Sequence, residues 1–400
     1  MKGLIRIVIS SVFVIVVIES ASIGGRDTTL QAQQVHAREV PAFQVDPSWP
    51  NIPNHWVFGE VSSVFVDPHD HVWVLQRPGD VNGHATRTAE DKAHAAPPVL
   101  EFDANGNFIQ GWGGPGKGYE WPEREHGITV DYKGNVWIGG NGPNDHQIVK
   151  MTNTGKFIMQ IGHSGQSKGN TDTVNVNKPA DVSVYPKTNE VFVADGYGNR
   201  RVIVFDADTG AFKRMWGAYG HKPTDPPPTA KSVGGGEDGG GAPALGPDDP
   251  NFRNVHCARI SNDGLVYVCD RFNGRVQVFT PDGEYLKQLL ISPDFKGPTA
   301  TRVAFSKDPE QKVLFVGDRS KQQIVAFDRK TFEMISSFGG PGCPGKRGQP
   351  SGCEVEPPGT FGILHDLAAD SQGNIYTAEV NEGRRAQKFV FKGMAPAPAN

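Results

Sequence analysis

Three histidines in similar sequence surroundings are the residues of this chain best placed to do chemistry together. They are His126 in Glu-His-Gly-Ile-Thr-Val-Asp, His256 in Val-His-Cys-Ala-Arg-Ile-Ser and His365 in Leu-His-Asp-Leu-Ala-Ala-Asp, at intervals of 130 and 109 residues. Each histidine opens a short strand-like run that leads into a turn. Three neutral imidazoles that converge, with one coordination position left open, form a zinc site of the catalytic kind.

An internal repeat provides a way for such distant residues to meet. Its unit alternates short apolar strands with Gly, Asn and Asp turns, and its copies start near Trp56, Pro122, Lys178, Phe252, Gly297 and Gly359. Each copy holds about four short strands, which is typical of a propeller blade. We therefore predict an all-β, six-bladed β-propeller over residues 42–394, in which the segment 42–46 completes the last blade.

The three histidines occupy the same register in alternate copies of the repeat. They fall in the second, fourth and sixth copies, and the matching positions in the other copies are Ser62, Ala180 and Thr301. In a closed ring of six blades, alternate copies are about 120° apart on the strand that lines the central channel. This placement favours a shared metal site over the alternative that each histidine is a separate turn or core residue.

A phenol and two guanidiniums are predicted at one rim of the same channel. Tyr197, Arg271 and Arg77 lie in equivalent loops after the second strand of copies three, four and one. A metal ion polarises a bound oxygen, and arginine can pair with both oxygens of a carboxylate. We interpret the three residues as a base and an anion-binding pair. The alternative is that each packs on its neighbouring blade.

The first residues of the chain predict export. Residues 1–22 combine a basic start, a mostly apolar run at 7–18 and small residues, which is the pattern of a secretory signal peptide. The alternative is an uncleaved membrane anchor, although the run is shorter than the roughly 20 residues that a span needs. We predict a periplasmic or secreted protein without a stable membrane span, with a linker at 23–41 and a tail at 395–400.

Export gives the four cysteines a predicted role as two local disulfides. Cys257 and Cys269 flank a turn symmetrically and should face each other across a hairpin, while Cys343 and Cys353 bracket a Gly/Pro-rich loop. The alternative is that Cys257, next to a histidine, binds the metal itself. Strand alternation argues against this, because adjacent residues of a strand point to opposite faces.

Composition excludes one class of partner. The 400 residues carry 40 Lys and Arg against 44 Asp and Glu, a net charge of −4, and contain no basic block. A nucleic-acid partner is therefore not expected. The Gly/Pro-rich stretch 222–250 cannot bury a core, so we predict a surface insertion, either solvated or acting as a flap over the channel mouth.

Several of these motifs resemble a known family. His-Gly-Ile-Thr-Val-Asp at 126–131, Val-Ala-Asp-Gly-Tyr-Gly-Asn-Arg-Arg at 193–201, Asp-Arg-Phe-Asn-Gly-Arg at 270–275 and His-Asp-Leu-Ala-Ala at 365–369 resemble the peptidyl-α-hydroxyglycine α-amidating lyases. These are six-bladed propellers of the NHL-repeat class. The resemblance implies a carbon–nitrogen lyase that splits a peptide ending in α-hydroxyglycine, or a related α-hydroxy amide, into a C-terminal amide and glyoxylate.

The resemblance also implies a role for each site residue. His126, His256 and His365 would bind a catalytic zinc, Tyr197 would take the proton of the substrate's hydroxyl group, and Arg77 and Arg271 would hold its carboxylate.

A structural calcium in the channel is implied by the same resemblance. Its ligands would be the backbone carbonyls of Val64 and Ile128 and the carboxylate of Asp366, and an all-oxygen set of this kind suits calcium. Because Asp366 follows His365 directly, the calcium would also fix the channel strands around the zinc.

Two other functions remain open from the sequence. A metal-dependent hydrolase or lactonase on the same scaffold would use a zinc-activated hydroxide as its nucleophile. A non-catalytic NHL-repeat binding module would keep its metals for stability alone. Product analysis separates the two enzymes, because the lyase releases glyoxylate and the hydrolase does not.

Overall fold

The chain folds into six four-stranded antiparallel sheets, so the predicted all-β, six-bladed β-propeller is confirmed. The computed structural model describes residues 39–79, 90, 93–225, 248–291, 299–343, 357–381 and 383–397. The predicted signal peptide and most of the predicted insertion at 222–250 lie outside these residues. Among the residues described, no helix is long and apolar enough to span a membrane.

Consecutive strands build the first three blades. The strands from the start of the described chain to the end of blade three are, in chain order, β1 Glu39–Asp46, β2 Glu60–Val66, β3 Val72–Arg77, β4 Val99–Phe102, β5 Phe108–Trp112, β6 Glu125–Val130, β7 Val136–Gly140, β8 Gln147–Met151, β9 Phe157–Gly162, β10 Asp181–Tyr185, β11 Glu190–Asp195, β12 Arg201–Asp206 and β13 Phe212–Trp216. Strand β1 belongs to blade six. Blades one, two and three are β2–β5, β6–β9 and β10–β13.

The remaining strands complete the ring. They are β14 Val255–Ile260, β15 Val266–Asp270, β16 Arg275–Phe279, β17 Tyr285–Leu290, β18 Ala300–Phe305, β19 Val313–Asp318, β20 Gln323–Asp328, β21 Met334–Gly339, β22 Leu364–Ala369, β23 Ile375–Glu379 and β24 Ala386–Pro396. Blade four is β14–β17 and blade five is β18–β21. Two 3₁₀ helices in the described residues, Ala218–Gly220 and Arg271–Asn273, follow β13 and β15.

The sixth blade joins the two ends of the described chain. Its strand order is β1-β24-β23-β22, so the N-terminal strand supplies the outer edge, as predicted. The pairing runs from Glu39 opposite Pro396 to Asp46 opposite Lys388. Strand β1 therefore begins before residue 42 and β24 continues past residue 394. The predicted linker and tail are shorter than expected because antiparallel pairing extends across both boundaries.

A separate hydrophobic cluster fills each interface between neighbouring blades. Between blades one and two, for example, Trp73 and Leu75 pack against Ile128 and Ile138. Both faces of a blade are buried in this way, and the burial removes apolar surface from water along the whole ring. The packing holds the innermost strands β2, β6, β10, β14, β18 and β22 in contact around the channel.

Bulges near the start of the innermost strands set the direction of the side chains there. The pairing of the first strand with the second skips Ser62 in blade one, His126 in blade two, His256 in blade four and His365 in blade six. A bulge adds an unpaired residue and re-aims its side chain. The residues that the repeat places in register thus leave the sheet at the same level of the channel.

One predicted disulfide is confirmed and the other is described only in part. Cys257 on β14 and Cys269 on β15 are paired in the sheet and bonded to each other. The sulfur of Cys257 is therefore not a metal ligand. Cys343 is disulfide-bonded as well. Its predicted partner Cys353 lies outside the described residues.

Replacing both Cys257 and Cys269 by alanine should lower the free energy of unfolding. The bond closes a loop with a sequence separation of 12, and a closed loop of about this length restricts the unfolded chain by roughly 3 kcal/mol. Urea unfolding followed by tryptophan fluorescence measures the change. Wild-type protein unfolded in the presence of dithiothreitol serves as the control and should approach the variant. Equal stability of variant and oxidised wild type would contradict the prediction.

Candidate metal centre

Three buried histidine side chains meet at one end of the central channel. His126 on β6, His256 on β14 and His365 on β22 have ring centroids 5.0, 4.7 and 4.9 Å apart, so they form a nearly regular triangle. None of them is more than 1% exposed. One ring nitrogen of each can reach a common ion. The structure thus brings together the three histidines that the sequence predicts as ligands.

A backbone carbonyl of the following blade orients each imidazole. The three Nδ1-to-oxygen distances are 2.8 Å for His126 and Ala180, 2.6 Å for His256 and Thr301, and 2.6 Å for His365 and Ser62. A carbonyl oxygen only accepts, so each Nδ1 carries the proton and donates it. Each Nε2 keeps its lone pair, which is the arrangement that metal-binding histidines use.

Burial favours the neutral form of two of these imidazoles, His126 and His256. It lowers the pKa of His126 well below its ordinary value, and the charges of His365 and Arg77 act in the same direction. Burial likewise lowers the pKa of His256, with Arg271 as the next cause. A metal binds the neutral imidazole, so less proton competition favours occupancy. Three neutral nitrogen donors fit a transition metal, and zinc is among those that prefer imidazole.

A buried phenol lies directly beside the histidines. The Tyr197 hydroxyl is 2.9 Å from Nε2 of His126 and 3.1 Å from Nε2 of His256. It also accepts a hydrogen bond of 3.1 Å from Nη1 of Arg271. The structure therefore places the predicted base within hydrogen-bond reach of two predicted ligands and one predicted anion-binding residue.

The two predicted arginines are both buried near the histidines, but their surroundings differ. Arg271 places its guanidinium 5.3 Å from the centre of the Tyr197 ring. Arg77 donates from Nη1 to Glu60 at 2.5 Å and from Nε to the carbonyl of Glu125 at 2.7 Å. Glu60 therefore offsets part of the charge of Arg77, because the same carboxylate oxygen also accepts from Nη2 of Arg124 at 2.9 Å. Arg271 is bonded to the phenol.

Buried ion pairs stabilise the loops that carry Tyr197 and Arg271. Asp195 at the end of β11 pairs with Nε of Arg201 at 2.8 Å, and Asp270 at the end of β15 pairs with Nε of Arg275 at 2.9 Å. Both pairs are fully enclosed, which makes them costly to break. Their position fixes the direction in which each loop leaves its strand.

The predicted calcium ligands do not form a cation site. Both carboxylate oxygens of Asp366 are bonded to the guanidinium of Arg302. A guanidinium already holds the one acidic ligand of the predicted set. The residues present at this level of the channel therefore do not fit calcium.

Sequence reasoning missed Arg302, the pairing of Arg77 with Glu60 and the carbonyls that orient the histidines. The repeat does contain a signal for Arg302. It follows Thr301, which is in register with the histidines, just as Asp366 follows His365. Glu60 and Arg77 face each other on the paired strands β2 and β3 of blade one, so their contact follows from the strand register, whereas the carbonyls that orient the histidines belong to the neighbouring blades and have no local sequence signal.

Replacing His256 by alanine should abolish stoichiometric metal binding, because one of three nitrogen donors is lost. Metal content by inductively coupled plasma mass spectrometry, with circular dichroism to confirm folding, measures the effect. His163→Ala is the matched control, since His163 is exposed and distant in sequence from the centre. Full occupancy in a folded His256→Ala protein would place the metal elsewhere.

Sequence comparison finds relatives among amidating enzymes. The chain is 28% identical over 372 residues to peptidyl-glycine alpha-amidating monooxygenase B of Xenopus laevis, covering 87% of this chain and 35% of that protein. It is 30% identical over 156 residues to a probable peptidyl-alpha-hydroxyglycine alpha-amidating lyase of Caenorhabditis elegans, covering 37% of this chain and 42% of that protein. It is also 27% identical over 295 residues to NHL repeat-containing protein 3 of Mus musculus, covering 72% and 70%.

No protein-family model matches the chain. A solved streptogramin B lyase structure aligns with a TM-score of 0.49 at 12% identity, covering 88% of this chain and 98% of that one. The resemblance seen in the sequence motifs is confirmed: this six-bladed propeller has homologues named peptidyl-alpha-hydroxyglycine alpha-amidating lyase, at 30% and 26% identity.

Proposed function

We propose that this protein is a zinc-dependent lyase that cleaves peptidyl-α-hydroxyglycine, or a related small α-hydroxy amide, to a C-terminal amide and glyoxylate. One observation carries the proposal: the hydroxyl of Tyr197 lies within 3.1 Å of His126, His256 and Arg271 in a buried site. A metal-binding triangle, a proton-transfer group and a carboxylate-binding group are the parts that this reaction needs, and here they adjoin one another.

The three oriented Nε2 atoms would hold the zinc. His126, His256 and His365 fit this role because their Nδ1 protons are donated to carbonyls and their pKa values favour the neutral form where resolved. When bound, zinc supplies Lewis-acid polarisation of an oxygen in the substrate. The single open position expected of a three-histidine site admits one substrate oxygen.

Tyr197 would move the proton. As the phenolate, its oxygen would take the proton of the substrate's hydroxyl group, the electron pair of that O–H bond would form the carbonyl of glyoxylate, and the C–N bond would break, with the tyrosine returned to the phenolate when it passes the proton on. The proton ends on the departing amide nitrogen, so atoms and charge balance without water or an oxidant. The hydrogen bond from Arg271 holds the phenol oxygen in place for both transfers.

Arg271 and Arg77 would hold the carboxylate of the substrate. Both guanidiniums lie in a site closed to solvent, where a charge-assisted hydrogen bond is stronger than in water. Their common action on the pKa of His126 indicates that both fields reach the metal centre. An anionic α-hydroxy acid amide therefore fits the site better than a neutral ester.

Export to a periplasm or the outside is part of the proposal. The buried disulfide Cys257–Cys269 supports it, because such bonds form and persist in oxidising compartments. The partner is a small peptide or α-hydroxy amide, and the net charge of −4 gives no support to nucleic-acid binding.

Zinc-loaded protein should convert α-hydroxyhippurate to benzamide and glyoxylate faster than the spontaneous reaction, and chelation should remove the excess. Chromatography of both products measures this. Opening of lactones or esters without glyoxylate would instead support the hydrolase alternative. Tight zinc without turnover of either substrate class would support the binding-module alternative.

Tyr197→Phe should retain the fold and the metal but lose most turnover, by a factor of about 10²–10⁴, because the proton-transfer group is removed. Tyr132→Phe is the matched control, since the Tyr132 hydroxyl is exposed and bonds to Asn189. Steady-state kinetics with metal analysis of both variants checks the prediction. A near-normal kcat in Tyr197→Phe would remove this residue from the mechanism.

Arg271→Ala should lower kcat/KM by on the order of 2–4 kcal/mol of transition-state stabilisation, because a desolvated charge contact to the carboxylate is lost. We expect a smaller loss in Arg77→Ala, whose charge Glu60 already offsets in part. A substrate amide in which the carboxylate is esterified provides the control: it should react slowly with wild type and should lose less activity in Arg271→Ala than the acid does, because only the contact of Arg271 with the phenol is then removed. Equal losses on both substrates would contradict carboxylate recognition.

A further inference from the structure

A charged network crosses the channel just beyond the histidines. Its members, called the Arg302 network here, are Ser63, Thr129, Asp181, Arg259, Arg302 and Asp366, one from each of the six blades. Four of them directly follow the residue that is in register with the histidines. The pairing of β18 with β19 skips residues 301–302, so a bulge aims Arg302 towards the axis as bulges aim the histidines.

Arg302 is the centre of this network. Its Nε and Nη2 bond to the two carboxylate oxygens of Asp366, and its Nη1 is ion-paired with Asp181. Nη2 also donates to Ser63 Oγ at 3.2 Å. The side chain is 1% exposed. One guanidinium thus links blades one, three, five and six through contacts in several directions, as a coordinated metal ion would.

The network is balanced in charge without any metal. Arg259 is ion-paired with Asp181 at 3.0 Å and donates to Thr129 Oγ1 at 3.1 Å. Two buried carboxylates therefore face the buried guanidinium of Arg302 and the partly buried one of Arg259. A buried carboxylate needs an opposite charge close by, and an additional divalent cation here would leave excess positive charge beside these guanidiniums.

Although burial opposes its charge, the carboxylates of Asp181 and Asp366 raise the pKa of Arg302 above the ordinary value. Arginine stays protonated at all pH values at which proteins fold. The cation at this level of the channel is consequently permanent and covalently attached to the chain.

We propose that Arg302 is the built-in structural cation of the propeller and takes the place of the calcium that the family resemblance implies. The integrity of the channel is then independent of calcium. This inference concerns stability and calcium binding, so its test does not depend on the proposed lyase activity.

The first experiment uses the zinc-loaded wild-type protein. After purification in calcium-containing buffer and desalting, metal analysis should find no stoichiometric calcium. Addition of millimolar calcium should leave the melting temperature unchanged relative to magnesium. One tightly bound calcium per chain, or a rise in melting temperature specific to calcium, would overturn the proposal.

The second experiment removes the built-in cation. Arg302→Ala leaves two buried carboxylates without their central partner, so the melting temperature should fall, and calcium should now raise it by about 5 °C at concentrations far above the dissociation constant. Arg329→Ala, which removes an arginine from an ion pair with the half-exposed Asp263, is the matched control and should show no calcium response. A folded Arg302→Ala protein that ignores calcium would overturn the claim that Arg302 stands in for a metal.

A conservative variant keeps the test decisive if Arg302→Ala does not fold. Arg302→Lys retains one positive charge but cannot bond to Asp181 and both oxygens of Asp366 at once. It should fold with a lowered melting temperature that calcium does not change. A lysine variant that requires calcium for folding would show that the site is a metal site, and would refute the proposal.

Discussion

Closure of the ring between β1 and β24 is the constraint on which the site depends. This pairing completes blade six and holds β22 between β18 and β2 at the channel. His365 and Asp366 both lie on β22, so the third imidazole and the acidic partner of Arg302 reach the axis only in the closed ring. A contact at the outer edge of one blade thereby supports two layers of polar residues at the centre.

The layer of histidines and the Arg302 network differ in the charge that they present to the channel. The layer of histidines is uncharged, oriented by carbonyl oxygens and adjacent to Arg271 at the Tyr197 hydroxyl, so this guanidinium presents a positive charge to an anion there. The Arg302 network beneath it compensates its own charges and adds little to that positive charge. A neutral layer that can accept a divalent ion thus lies next to a layer that has no need of one.

The repeat made the fold, the register of the histidines and the Cys257–Cys269 bond predictable, because each depends on spacing along the chain. The carbonyl acceptors of the histidines were not predictable, because spacing along the chain does not say which backbone group of the neighbouring blade a side chain will reach; the pairing of Arg77 with Glu60 needed the register of β2 against β3, which was not assigned from the sequence. The bulges explain how two adjacent residues both reach the channel. Strict alternation would send His365 and Asp366 to opposite faces, whereas both contact residues of other blades in the channel. The ends of β1 and β24 were misjudged because each strand's length is set by a partner some 350 positions away in sequence.

The pairing of β1 with β24 also bears on the stage of folding at which the three histidines can come together. A chain made from its N-terminus has His126 and His256 in place while β22 is still missing, and two imidazoles without the third cannot complete the ligand set. Pairings between distant segments form slowly, since loop closure must precede any gain from the contact. The complete set of three imidazoles therefore exists only once β22 has been made and has joined the ring. An unfinished or truncated chain that lacks β22 can form the local hairpins of the earlier blades but not the candidate metal centre.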